Sequence, residues 1–374
     1  MTPSVAAPAA LVPLEGVRAR AYAIPTESPE SDGTLEWRST TIVVVEAAAG
    51  GLRGLGYTYA DEAAARLADS RLAGALAGLD AWAVPAARAA MEGAVRNLGR
   101  QGLCAAAISA VDAALWDLKA RLLGVPLARL LGAARESVPV YGSGGFTSYT
   151  IAQLERQLGG WADEGMGAVK MKVGREPERD LERVRAARRA IGPSVELYVD
   201  ANGAYERKQA LRFAEEFAAE GVTWFEEPVP ASDLEGHRLL RDRAPAGMEI
   251  ASGEYGWDLP YFERMLEAGA VDVLQADATR CGGPSGFLEA AALCRARNVP
   301  LSSHTAPALH LPLACSAPSF RRLEWFHDHV RIERLLFDGA PSPRGGLLRP
   351  DLSRPGFGLE LKTQEARRYA VHGG

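Results

Sequence analysis

Between residues 196 and 228 the chain reads ELYVDANGAYERKQALRFAEEFAAEGVTWFEEP. A strand begins near Glu196 and ends in Asp200-Ala201-Asn202; a helical stretch follows, and the next strand begins near Thr223 and ends in Glu226-Glu227-Pro228. The same alternation extends in both directions. Candidate strands begin near Val138, Ala168, Glu196, Thr223, Glu249, Asp272, Pro300 and Arg321. The gaps carry helical spacings such as Leu154, Leu158 and Trp161, or Leu181, Val184, Ala187 and Ile191. Eight units of roughly 26 residues predict an α/β chain folded as a (β/α)8-type barrel rather than an open doubly wound sheet. The last gap stands apart, because Thr305 to Pro318 carries three prolines and reads as a poor helix.

Ahead of the barrel the texture differs. Val17 to Ala23, Thr40 to Glu46 and Gly54 to Tyr59 read as strands, while Ile24 to Arg38, crowded with Pro, Ser, Glu, Asp and Gly, reads as a long functional loop. Ile108, Val111, Leu115, Leu118 and Leu122 mark one buried helix face, ended by Gly124 and Pro126. A first α+β domain is therefore expected over 14–134, a barrel over 135–346, and a tail of about 347–374 packed back on the first domain.

The whole chain has 374 residues, a net charge of −5 and 47% apolar residues, so it can bury a large core and offers no basic stripe to nucleic acid. Cys104, Cys281, Cys294 and Cys315 form no CxxC pair, which disfavours disulfides and cysteine zinc sites and suits a reducing cytoplasm. The first 13 residues lack a basic start and an unbroken apolar run, and read as a loose tail. No stretch approaches the roughly 18 apolar residues of a membrane span. Gly142-Ser143-Gly144-Gly145 lacks the later glycine of a dinucleotide fingerprint, so no organic cofactor is expected.

The strand ends carry the chemistry. In a barrel, catalytic groups stand at the carboxyl ends of the strands, where the loops converge. Those ends hold Lys170 and Lys172, Asp200, Glu226, Glu254, Asp277, His304 and Glu324, one strand after another. Asp200, Glu226 and Glu254 lie on three adjacent strands, and three carboxylates at one point cannot all stay ionised without a cation. All-oxygen ligation suits Mg²⁺ better than zinc.

Asn202 shares the strand face of Asp200 and is expected to support it, while Glu227 points the other way as a structural group. Lys170 and Lys172 project to one face, so each is expected to lower the pKa of the other and make a usable general base. His304 faces Asp277 on the neighbouring strand, an arrangement that orients an imidazole and favours its charged form. Glu324 is read as a protonated donor to an oxyanion, with a salt bridge to Arg321 or Arg322 as the alternative. His327 and His329 are assigned to the rim or to substrate contact rather than to metal, and His237, His310 and His372 to structural roles. The set suits removal of a proton α to a carboxylate, with the resulting enediolate stabilised by the metal, Lys170 and a proton donor.

The segments VKMKVG, VDANG, WFEEP, ASGE, LQADATRCGG, SSHTAP and LEWF resemble the mandelate racemase subgroup of the enolase superfamily. They come with the earlier AISAVDAALWDLKARLLGVPLARLLG and the later PGFGLEL. The resemblance implies a modified (β/α)7β barrel beneath an α+β capping domain, with Ile24 to Arg38 and Gly54 to Tyr59 closing over substrate. It implies one Mg²⁺ per subunit on Asp200, Glu226 and Glu254, a base at Lys172, a His304 and Asp277 dyad, and an electrophilic donor at Glu324. It also implies a homo-oligomer, dimeric or octameric.

The reading drawn from both sources is dehydration of an acid sugar to a 2-keto-3-deoxy acid. The polar cap loop and the GSGGFTS run, Gly142 to Ser148 with Ser143 expected to support the site or touch the substrate, favour a hydroxyl-rich small carboxylate. Racemisation or epimerisation of a 2-hydroxy acid is the alternative, and a non-catalytic metal-binding scaffold the remaining class.

Overall fold

The structure, a computed structural model, describes residues 11–373, so most of the expected N-terminal tail lies outside the described residues. Three antiparallel strands open the chain: β1 (Leu14–Ser31), β2 (Glu36–Ala49) and β3 (Leu52–Tyr59). The last short strand, Ala370–His372, adds to the outer edge of β1. Helix Leu103–Leu122 crosses this sheet with its small and branched residues inward. Val43, Val45, Ala107, Val111 and Leu115 form a core of their own there, each buried valine or leucine contributing roughly 1.5–3 kcal/mol.

The stretch Ile24 to Arg38 is not the loop expected from its composition. It is the outer half of the β1–β2 hairpin, with Glu30 opposite Trp37 and Ser31 opposite Glu36. Pro25, opposite Ser39, is the last residue of regular pairing before the register shifts, and Pro29 falls within the shift, where no ladder hydrogen bond is required of it. The turn is tied by the Asp32 carboxylate, which accepts from the backbone N–H of Thr34 at 2.6 Å and of Leu35 at 2.7 Å. A Cβ on Gly33 would stand 2.3 Å from the carbonyl oxygen of Ala201 and 2.8 Å from that of Val173, so only glycine lets the tip rest on the barrel mouth.

Eight parallel strands follow: β4 (Val138–Gly144), β5 (Ala168–Lys172), β6 (Glu196–Asp200), β7 (Val222–Glu226), β8 (Glu249–Ser252), β9 (Val273–Ala276), β10 (Leu301–Ser303) and β11 (Leu323–Phe326). They run side by side in the order β10-β9-β8-β7-β6-β5-β4-β11, the curled sheet of a modified TIM barrel. Tyr141, Ala168, Tyr198, Trp224, Ala251 and Val273 plug its lower interior. Between β10 and β11 there is no regular ladder among the described residues; the segments meet through a bridge of Leu301 to Phe320 and bonds such as Arg321 N–H to Leu301 O at 2.7 Å and Leu301 N–H to Ser319 O at 3.1 Å.

The proline-rich gap does form a helix, Pro307–Ser316, with Pro307 in its first turn and Pro312 inside. Its nine residues Pro307 to Cys315 are buried, and packing on every side overrides the weak propensity. A further helix, His327–Leu336, follows the eighth strand.

Cap and barrel meet at a buried acid. Glu333 accepts from Tyr57 Oη at 2.6 Å and from Ala308 N–H at 3.1 Å, and burial pushes its carboxyl up to about 8. At neutral pH the folded chain thus holds a proton that the unfolded chain has released. The stability this contributes is complete below the ordinary carboxylate range and is lost as pH rises towards 8. Thermal midpoints are expected to fall from about pH 5 to about pH 8 more steeply in the wild type than in Glu333→Gln. Equal slopes in the two proteins would contradict this reading.

Candidate active site

Strand register puts the functional side chains level with one another. Lys172 pairs with Asp200 across β5 and β6, Asp200 with Glu226 across β6 and β7, and Glu226 with Ala251 on β8. Glu254 lies three residues beyond Ala251 and is brought back by Gly253, whose φ of 131° and whose position 2.3 Å from Gln275 O, measured from an added Cβ, admit no side chain. Asp200, Glu226 and Glu254 are all buried, and one carboxylate oxygen from each lies within 4.8 Å of the others.

This donor set fits a hard divalent cation. Burial and then the Asp200 charge hold Glu226 well above the usual carboxylate range, the cost of packing acids together that a cation removes. Glu254 Oε2 is buried without a hydrogen bond, although His304 Nε2 stands 3.2 Å away.

Lys172 Nζ donates to Asp200 Oδ2 at 2.5 Å, and Lys170 Nζ contacts Glu226 Oε1 and lies 2.8 Å from Glu324 Oε1. The lowered lysine pKa expected from the KxK pair is not what these contacts produce. Burial pushes Lys172 down, but Asp200, then Glu254 and Glu226, outweigh it and the net direction is up. The three acids that raise it are the three of the triad, whereas burial and Lys170 both lower it. A divalent charge on the triad would offset the raising influence of these acids.

On the other flank, His304 Nδ1 lies 2.8 Å from Asp277 Oδ2, with both side chains buried. Burial opposes ionisation of Asp277, yet the His304 hydrogen bond and charge bring it below the usual range. His310 braces the same loops. Its Nε2 accepts from Ala278 N–H at 2.8 Å, so Nδ1 carries the proton and donates to Thr305 O at 2.9 Å.

Glu324 departs from expectation. Instead of a neutral donor it accepts from Ser143 Oγ at 2.6 Å and from Thr305 N–H at 2.7 Å. Burial raises its carboxyl, but Lys170 and then His304 bring it down to about 2. Arg321 and Arg322 pair with Glu249 and Glu196 and not with Glu324. Ser143 accordingly faces Glu324, buried beside it.

Thr305 (φ 48°) and Ala306 (φ 41°) are both left-handed, as are Asn202 (φ 48°) and Glu227 (φ 37°), a strain of about 1–3 kcal/mol each that clusters at this mouth. The Asn202 backbone N–H donates to Asp200 Oδ1 at 2.9 Å, so its support comes from the main chain, and its own Oδ1 is buried without a partner. Glu227 turns away to Ser252 Oγ at 3.2 Å, the structural placement expected of it.

Above these groups lies a cavity of about 450 Å³, floored by Lys172, Glu254, His304 and Glu324 and roofed by Asp32, Trp37, Thr40, Tyr59 and Asp61 of the cap. His327 is not among its walls. It faces Glu27, with Nε2 to Oε2 at 3.4 Å, on the outer side of the helix. His329 lines the cavity instead, stacked on Tyr59 with ring centroids 3.4 Å apart and kept neutral by burial. Residues two apart on a helix diverge by about 200°, which alone dictates that only one of the two histidines can face the cleft. Arg280, unremarked in the sequence though only three residues after Asp277, also lines it; its Nη1 donates to Glu254 Oε1 at 3.3 Å and its guanidinium lies over Tyr255.

Residues 21–132 match the family described as mandelate racemase / muconate lactonizing enzyme, N-terminal domain, and residues 153–366 match that described as enolase C-terminal domain-like. The chain is 36% identical over 276 residues to L-talarate/galactarate dehydratase of Salmonella typhimurium, covering 73% of this chain and 67% of that protein. A crystal structure of that dehydratase liganded with Mg and L-lyxarohydroxamate aligns with a TM-score of 0.89 at 30% identity, over 96% of this chain and 93% of that one. Identity to the 3,6-anhydro-alpha-L-galactonate cycloisomerase of Streptomyces coelicolor is 34% over 372 residues, 96% of this chain and 99% of that protein. The crystal structure of a mandelate racemase/muconate lactonizing enzyme-like protein from Rubrobacter xylanophilus aligns with a TM-score of 0.94 at 58% identity, over 96% and 100% of the two chains.

Proposed function

Because the chain belongs to the mandelate racemase/muconate lactonizing enzyme family of the enolase superfamily, we propose that it removes the proton α to the carboxylate of an acid sugar and expels the adjacent hydroxyl as water. It is an enzyme, a lyase with isomerase chemistry as the alternative, and its metal is Mg²⁺. Residues 135–346 form the catalytic barrel, with Leu347–Leu348 paired to β4, and 14–134 with the later tail form the cap that closes it.

One observation supports the reading above all others. The buried triad of Asp200, Glu226 and Glu254 is flanked by Lys172 against Asp200 and by His304 against Glu254. Bound there, Mg²⁺ supplies charge stabilisation to the substrate carboxylate as it gains electron density. Lys172 or His304 takes the C2 proton, and Lys170, fixed by Glu226 and Glu324, holds the carboxylate end. His304, oriented by Asp277, then gives a proton to the departing C3 hydroxyl. Water leaves, the C2–C3 double bond forms, and the enol tautomerises to the 2-keto-3-deoxy acid.

The same two flanking groups serve 1,1-proton transfer, which keeps racemisation or epimerisation as the second reading. Incubation with Mg²⁺ and a panel of acid sugars in D₂O separates the cases. Keto-acid formation is expected; deuterium at C2 without keto acid would transfer the assignment to an isomerase, and neither would leave only a metal-binding scaffold.

A further inference from the structure

The floor and roof of the cleft differ in charge, and this deepens the dehydratase reading, on which it rests. A substrate whose reacting carboxylate sits at the triad must extend its remaining carbons upward to the cap, because the triad itself is buried. Among the described residues lining the cavity, the cap contributes Asp32 and Asp61 but no lysine or arginine. Both acids are pinned. Asp32 Oδ1 takes the N–H groups of Thr34 and Leu35, and Asp61 Oδ1 takes that of Ala63 at 2.9 Å.

The two cations that line the cavity are engaged at the floor. Lys172 is held by Asp200. Arg280 donates from Nη1 to the Glu254 carbonyl and to Glu254 Oε1, both at 3.3 Å, and its Nε stands 3.6 Å from Asp277 Oδ2.

We propose that this site selects polyhydroxy monocarboxylates, aldonate-type acids, and rejects dicarboxylates, with Asp32 and Asp61 as the discriminating residues. A second carboxylate at the remote end would face two negative charges, half-buried Asp32 and exposed Asp61, with no cap lysine or arginine among the described lining residues to pair with. A terminal hydroxyl instead finds acceptors, namely the second oxygens of Asp32 and Asp61 and the unpartnered Oδ1 of Asn202, with the Thr40 side chain nearby.

The test compares kcat/KM of the Mg²⁺-loaded enzyme for gluconate, galactonate and arabinonate with that for galactarate and glucarate, read as keto-acid formation. Aldonates are expected to lead by at least about 100-fold. The Asp32→Asn, Asp61→Asn double variant, which keeps a side-chain oxygen to accept the backbone N–H groups at each position, is expected to narrow that ratio by about tenfold, chiefly through the KM of the dicarboxylates. Dicarboxylates turned over as well as aldonates, or a ratio unmoved in the variant, would overturn the proposal while leaving dehydration standing. Absence of keto acid from every member would overturn the dehydratase reading instead. Inhibitor constants would then judge the charge rule separately, and equal affinity for the two classes would refute it.

Discussion

Lys172→Ala is expected to lower kcat by about 10²- to 10⁴-fold, and His304→Asn by a similar factor, on at least one substrate stereoisomer, with the fold retained. Both side chains reach the cleft, each leaning on a different triad acid, so each can meet one face of a carbon held between them. The two losses should differ in kind. Where Lys172 is the base, Lys172→Ala abolishes exchange of the C2 proton with D₂O, while His304→Asn retains exchange and blocks loss of the hydroxyl. Circular dichroism checks the fold and single-turnover exchange separates the steps. Wild-type rates in both variants would remove the acid and base assignments.

Chelation is expected to reduce turnover to background, with recovery on returning Mg²⁺, and Glu226→Gln to lose it permanently. The reason lies in the energetics of the acids themselves. Glu226 is held well above its ordinary range by burial and by Asp200, so its charged form is disfavoured there without a cation. A bound cation reverses that preference. Thermal stability should therefore rise with Mg²⁺, by about 2.7 kcal/mol at a hundred times the dissociation constant, and the rise should vanish in Glu226→Gln. Full activity in the chelated enzyme, or a Tm indifferent to Mg²⁺, would contradict the metal's place in this chemistry.

Much of this was legible before the fold was known, because parallel barrel strands are buried on both sides and announce themselves as short apolar runs. Each of the eight barrel strands begins within two residues of its expected start. Their polar termini could be aligned from the same runs, and the acids of β6 and β7 do stand in register.

What escaped depends on partners distant in sequence. The hairpin through Ile24 to Arg38 is held by cross-strand pairing and by contact with the barrel mouth, such as Thr147 N–H to Ser31 O at 2.8 Å, which composition does not encode. The helix at Pro307–Ser316 is sustained by burial against its proline content. Charge states were harder still. A KxK pair suggests mutual repulsion, but Lys172 answers first to the carboxylates of neighbouring strands, and Glu324 to Lys170. The choice of His329 over His327 needed only the helical period, once the helix was known to begin at His327.

Crystals grown with Mn²⁺ in place of Mg²⁺ and measured at the manganese absorption edge address the convergence of the triad without any recourse to activity. One anomalous peak per chain is expected, about 2.0–2.3 Å from an oxygen of each of Asp200, Glu226 and Glu254. A peak elsewhere, or an ion that leaves any one of the three acids out of its coordination sphere, would contradict it.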